Sequence, residues 1–160
     1  KWFKAPAVEV KNIIINLVQQ ALAKGYGIQD IQVLAPMYSG LAGIDNLNHA
    51  IQKVVNPSDF AKRELKVGTT TFREEDKILQ LKNQPNDDVY NGDIGILVEV
   101  VYASEDHLKQ NRIIVDFDGR IVEYTSENFM NITLAYCVSV HKAQGSEYPI
   151  VILPIVPDCQ

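Results

Sequence analysis

An α/β layer interrupted by a small all-β module is the fold class that the sequence predicts, and three observations carry it. Two amphipathic helical patterns flank a short apolar strand pattern between residues 10 and 55, the helix, strand, loop, helix order of α/β domains. Several short β-runs separated by turn signals follow, over about residues 64–132. An apolar strand pattern then returns at 150–153, where the α/β layer resumes.

The first helix is marked by Val10, Ile13, Ile14, Leu17, Val18, Ala21 and Leu22, which follow the three-then-four spacing of one face, and by Gly25 and Gly27, which stop it. That stripe, with Trp2 and Phe3, is expected in the core, because a buried apolar face is what holds a helix in a protein. Residues 31–35 form a β-branched-rich run ended by Pro36, as suits a buried strand opening into a loop. Gly40 and Gly43 punctuate that loop. Ile44, Leu47, Ile51 and Val54 or Val55 then mark a second helix, which Asn56-Pro57 ends. Loops at the carboxyl ends of such strands are where α/β proteins place their sites.

Within the module, β-runs stand at 77–81, 94–102, 112–117 and 120–124. Asn91-Gly92-Asp93 precedes the second, and Asp118-Gly119 sits between the last two as a two-residue hairpin loop that tolerates positive φ. Short antiparallel strands at this spacing predict a small barrel. Glu74-Glu75-Asp76 reads as a solvated turn. Tyr90, Tyr102 and Tyr124 read as barrel packing, with an aromatic platform for single-stranded bases as the alternative. Residues 134–144 are expected to be helical, although their periodicity does not separate helix from strand, and a buried strand follows Gly145.

Composition narrows the function classes. With 160 residues, 46% of them hydrophobic, the chain can build one core or a core plus an inserted module. No apolar run approaches the roughly 20 residues of a membrane-spanning helix, so membrane insertion is not expected. Cys137 lies in an apolar stretch and Cys159 near the end, with no CxxC or Cys/His cluster, so no metal site is expected and a reduced, cytoplasmic setting is. Lys1-Trp2-Phe3-Lys4 is neither a signal peptide nor an initiator sequence, so the chain reads as a fragment of a larger protein. His49 and His107 are isolated and read as surface residues. The net charge of −5 argues against autonomous nucleic-acid binding, which draws on Lys and Arg to displace counterions from phosphates.

One segment concentrates chemistry. Ser139-Val140-His141-Lys142-Ala143-Gln144-Gly145-Ser146-Glu147 packs hydroxyl, imidazole, ammonium, amide and carboxylate groups into nine positions ahead of the last strand. Such groups grip phosphate oxygens, Gly145 lets backbone approach a ligand, and Glu147 is able to accept hydrogen bonds from a ribose. The plain alternative is a helix of ordinary polar surface residues with a Gly cap and a turn through Pro149.

Resemblance favours the first of these. The run from Leu134 through Ser139-Val140-His141-Lys142-Ala143-Gln144-Gly145-Ser146-Glu147-Tyr148-Pro149 resembles motif V of RecD-like, superfamily 1 DNA helicases, the exodeoxyribonuclease V alpha-subunit family. Gln32-Val33-Leu34-Ala35-Pro36-Met37-Tyr38-Ser39-Gly40-Leu41-Ala42-Gly43-Ile44-Asp45-Asn46-Leu47-Asn48 resembles the same family's motif IV region. Between them, Phe72-Arg73-Glu74-Glu75-Asp76-Lys77-Ile78-Leu79-Gln80 and Val89-Tyr90-Asn91-Gly92-Asp93-Ile94-Gly95 resemble the SH3-like barrel those helicases insert in their second motor domain. Three departures stand out: Ser139 where the family usually has Thr, Glu75 where Gly is common, and Ser39 where relatives often have a basic residue. The last puts a phosphate contact from that loop in doubt.

The resemblance implies a partial RecA-like (UvrD C-terminal-like) motor domain with an inserted SH3-like β-barrel. Residues 1–63 are expected to be the first part of that domain, 64–132 the insert and 133–160 the return, ending before motif VI. It also implies that Ser139, His141, Lys142, Pro36 and Tyr38 face single-stranded DNA, and that Gln144, Gly145 and Glu147 lie toward a nucleotide cleft shared with the amino-terminal RecA-like domain of the same protein. The implied parent is a cytoplasmic, ATP- and Mg²⁺-dependent helicase of recombination and repair, moving 5′ to 3′, alone or with recombination nuclease subunits. No Gly here is followed by Lys, so the G-x-x-x-x-G-K-[ST] loop is missing and the fragment alone is expected to be inactive. A Pif1-like helicase, a relaxase-helicase of conjugation, and a non-enzymatic adaptor remain as alternatives.

Overall fold

The computed structural model describes residues 7–35, 43–143 and 147–154. They fall into two compact units, one within Lys1–Val55 and Tyr136–Gln160, the other Asn56–Ala135. In chain order the first elements are α1 (Ala7–Ala23), β1 (Ile31–Ala35) and α2 (Ile44–Val55). The second unit holds β2 (Glu64–Val67), β3 (Thr70–Arg73), β4 (Lys77–Gln80), β5 (Ile94–Val101), β6 (Arg112–Phe117), β7 (Arg120–Tyr124) and β8 (Ile132–Leu134). The chain then returns to the first unit with β9 (Cys137–Ser139) and β10 (Ile150–Ile152).

In the first unit α1 buries Val10, Ile14 and Val18, four residues apart, with Ala21, while Ile13, Leu17 and Leu22 lie at the margin of that stripe. Each fully buried aliphatic side chain of this kind stabilises by about 1.5–3 kcal/mol. The helix ends where Gly25 takes a φ of +99°. There the Tyr26 N–H donates to the Ala21 carbonyl at 3.2 Å and the Gly25 N–H to Leu22 at 3.0 Å, which satisfies two terminal carbonyls. Trp2 and Phe3 lie outside the described residues. The sheet runs in the order β10-β1-β9, all parallel, with β1 central. Helix α1 packs on α2, β1 and β10, and α2 packs on β9.

Residues 134–144 depart from the helix expected of them. They form the end of β8, the strand β9 and a turn at 140–143. The reason is burial on both faces: every residue from Leu134 to Ser139 is buried, and such a run reads the same in helix and strand periods. Pairing with β1, over Val33↔Cys137, Leu34↔Val138 and Ala35↔Ser139, decides for strand. The last strand departs the other way. Ile152 is buried, but Val151 and Leu153 are each 51% exposed, because among the described residues β10 is an edge with β1 as its single partner.

The second unit is an antiparallel sheet in the order β7-β6-β5-β4-β8 with a separate hairpin of β2 and β3. The hairpin escaped the sequence reading, since its strands are only four residues each and only Phe72 and Arg73 are buried. Alternation is clearest in β6, where Ile113, Val115 and Phe117 point into the core. At the β6–β7 turn Asp118 and Gly119 both take positive φ, +53° and +97°, the two-residue loop that their identities predict. Gly95 in β5 is needed for room: a Cβ there would stand 2.6 Å from the Asp116 carbonyl oxygen. Tyr124 is fully buried, donating its hydroxyl to Gln80 at 2.5 Å, and Tyr102 shares hydrogen bonds with the Glu64 backbone under the stacked Arg63 guanidinium. Tyr90, by contrast, is 41% exposed and does not share the packing expected of it.

The acidic triplet also departs from expectation. Asp76 is fully buried, accepting from Asn56 Nδ2 at 2.8 Å and from the Arg73 N–H at 2.6 Å. The Glu74 carboxylate accepts from the N–H groups of Arg63 and Val100 at 3.0 and 2.9 Å. Only Glu75 is the solvated residue expected, and it sits at a φ of +79°. Charge runs read as solvated unless backbone donors converge on them, and that convergence is tertiary.

Candidate nucleic-acid interface

The register Ala35↔Ser139 sets the carboxyl ends of β1 and β9 side by side in the first unit. In a parallel sheet these ends open into the loops that carry sites. From β1 the chain continues to Pro36 and Tyr38, and from β9 to the 140–143 turn and then Gln144 and Gly145. Pro36, Tyr38, Gln144 and Gly145 lie outside the described residues.

Ser139 closes β9 and is 5% exposed. Its carbonyl accepts from the Lys142 N–H at 3.0 Å and its hydroxyl accepts from the same group at 3.4 Å. Such a hydroxyl shapes the turn. His141 at the apex is exposed, Lys142 is half-buried, and Glu147, beyond the turn, is exposed. The described segment thus offers an imidazole and an ammonium group on a strand end, the kind of donors that bind phosphate oxygens.

Behind the turn, β9 is held by two buried amides that the sequence reading did not assign. Asn48 of α2, 2% exposed, donates through Nδ2 to the Cys137 carbonyl and accepts at Oδ1 from the Cys137 N–H, both at 2.8 Å. Gln32 of β1, fully buried, donates to the carbonyls of Tyr136 at 3.2 Å and Val33 at 3.1 Å. A signal for them existed: an Asn beside Leu47 on an apolar helix face, and a Gln inside an apolar strand, are polar residues where none is expected. Burial also pushes the Cys137 thiol up to about 12, so it stays protonated and inert at neutral pH.

The formal charge is divided unevenly between the units. The first carries six Lys and Arg against five Asp and Glu, and the second nine against fifteen. The chain's acidity therefore belongs to the unit that does not carry the 139–142 turn. Among the described residues no group of His, Cys, Asp and Glu is placed to hold a metal ion. No described helix is long and apolar enough to cross a membrane.

Comparison with known proteins agrees with this architecture. Residues 47–117 match the family model of the ATP-dependent RecD-like DNA helicase SH3 domain, and residues 134–160 match the UvrD-like helicase C-terminal domain. Over 122 residues the chain is 36% identical to the ATP-dependent RecD2 DNA helicase of Deinococcus radiodurans, covering 76% of this chain and 16% of that protein. The fold resembles that of Bacteroides Pif1 helicase in complex with ADP-AlF3 and ssDNA, with a TM-score of 0.52 at 16% identity over 98% of this chain and 45% of that one. It also resembles a structure of two coordinating Pif1 helicases at forked dsDNA, with a TM-score of 0.50 at 20% identity over 96% of this chain and 42% of that one. The fold is accordingly α/β, part of a RecA-like helicase domain joined to an SH3-type module. With both models matched in succession and 36% identity to a RecD2 helicase over 76% of this chain and 16% of that protein, the chain is RecD-like in sequence, similar to part of a RecD-like DNA helicase.

Proposed function

We propose that this chain is the C-terminal motor segment, with its inserted SH3-like module, of an ATP-dependent helicase that translocates on single-stranded DNA and unwinds duplex. The observation that carries this reading is the pairing of the carboxyl ends of β1 and β9, with His141 and Lys142 on the turn that follows. On this reading His141 and Lys142 contact the DNA backbone, Ser139 holds the turn that presents them, and Pro36 and Tyr38 line the neighbouring loop. Gln144, Gly145 and Glu147 then lie toward the nucleotide, and so link the two ligands along nine residues of chain. Residues 1–63 and 133–160 are the motor part, and 64–132 the insert.

On this reading the segment does not hold ATP and Mg²⁺ by itself, since its sequence has no phosphate-cradling Gly-Lys. Those functions belong to the amino-terminal RecA-like domain proposed for the same protein. Nuclease subunits are a further class of partner, a cytoplasmic setting suits such an enzyme, and 5′ to 3′ polarity is the direction expected within the family.

The test is ATP hydrolysis by the longer protein that contains this segment, with and without single-stranded DNA, using the 160-residue chain as control. DNA-stimulated hydrolysis confined to the longer protein supports the reading. Its absence from both would leave a non-enzymatic adaptor. Within an active protein, His141→Ala should weaken DNA stimulation and unwinding; unchanged values would remove His141 from the interface.

A further inference from the structure

We infer that Asn48 is a positioning residue for the 139–142 turn: its buried carboxamide clamps both backbone groups of Cys137 and thereby sets where His141 and Lys142 stand. This rests on the proposal that the turn contacts DNA. Asn48 has no route to the ligand of its own, being 2% exposed on the inner face of α2.

The geometry is that of a missing strand. In the parallel ladder Cys137 is the residue opposite Val33, and the Val33 N–H reaches past it to the Tyr136 carbonyl at 3.4 Å. The N–H and C=O of Cys137 therefore point away from β1, toward a side where no strand stands among the described residues. Asn48 fills that side. Its amide donates one hydrogen bond and accepts one, each at 2.8 Å, as a neighbouring strand residue would. Gln32 holds the preceding carbonyl from β1. Two residues after Cys137 the strand ends at Ser139 and the turn begins. β9 is three residues long with one strand partner, so its own ladder fixes it weakly.

Only a residue with a donor and an acceptor at amide spacing completes this clamp. Asn48→Asp keeps the shape but sets a carboxylate oxygen against the Cys137 carbonyl. In the full-length protein the DNA concentration that half-saturates ATP hydrolysis should rise about tenfold, the order of loss when a supporting shell lets a site shift. The rate at saturating DNA should stay within about twofold, since a shifted turn is a binding defect. A merely structural role would instead lower the active fraction, and so the saturated rate, with half-saturation unchanged; that outcome overturns the inference.

His141→Ala, run beside it, separates the two levels. If His141→Ala weakens DNA stimulation and folded Asn48→Asp does not, the clamp is wrong and the interface stands. If neither does, the interface reading itself fails. Should Asn48→Asp not fold, Asn48→Ser, which offers a hydroxyl too short to bridge both backbone groups, is read by the same split. Failure of both to fold would make the amide a stability element and overturn the inference as well.

Discussion

The two units bury polar groups of opposite kinds. In the first, the buried polar side chains among the described residues are neutral: Gln32, Asn48, Gln52 and Ser139. In the second they include the charged groups of Arg73, Asp76, Lys77 and Asp106. Neutral amides fix a strand backbone without adding charge beside the turn that carries His141 and Lys142. The charged groups fix turns of the inserted module, whose fifteen carboxylates would repel a phosphate chain at close range. The difference teaches that a net charge of −5 taken over the whole chain misjudges the part of it that bears the candidate site.

The sharpest way to break this contrast is Asp76→Ala. It removes the acceptor of the Arg73 N–H and one of the two acceptors of the Asn56 amide, so the module should lose about 3 kcal/mol, read as a fall in the thermal midpoint of the chain. A loss below about 1 kcal/mol would mean that the charged hub is incidental. Gly95→Ala comes next. Its methyl meets the Asp116 carbonyl oxygen at 2.6 Å and Phe117 Cδ1 at 2.8 Å, for a cost of about 2 kcal/mol by denaturant titration.

Acid should weaken the second unit more gradually. The Arg112 guanidinium, with the N–H groups of Gln110 and Leu108, holds the Asp106 carboxyl below its usual range, and Arg73 and Ser58 do the same for Glu64. A carboxyl with a depressed folded pKa stabilises above its unfolded pKa, near 4, and that stability is lost as pH falls through the folded value. Thermal midpoints should therefore decline below about pH 4. A midpoint that is flat down to about pH 3 would show these pairs to be inert.

In the full-length protein Lys142→Ala should reduce the salt slope of single-stranded DNA binding by about 0.7, the value of one phosphate contact. Lys109→Ala in the second unit should leave that slope alone, and an equal effect from both would erase the contrast between the units. The smallest effect is Glu75→Gly. It relieves a φ of +79° and gives up an ion pair to Lys62 whose carboxylate is 68% exposed, for a net gain of about 0.5 kcal/mol in urea unfolding.

Much of this was legible in the residues. The apolar stripes of α1 and α2, the β1 run closed by Pro36, the strands β4 to β7 and the Asp118-Gly119 turn are local patterns, with periods or turn residues that allow few alternatives. The density of chemistry from Ser139 to Glu147, and its resemblance to a helicase motif, pointed to the same segment that the family models match.

Sequence alone, then, determined most of the elements, their order and the likeness to RecD-like helicases, because these rest on short-range pattern and on runs of matched residues. Tertiary structure alone decided that Cys137–Ser139 is strand, that Asp76 is buried, and that the Asn48 amide replaces a strand partner of Cys137. Each of those depends on a partner far along the chain, 89 residues away for Asn48, and no local period records what a side chain or a strand edge will meet there.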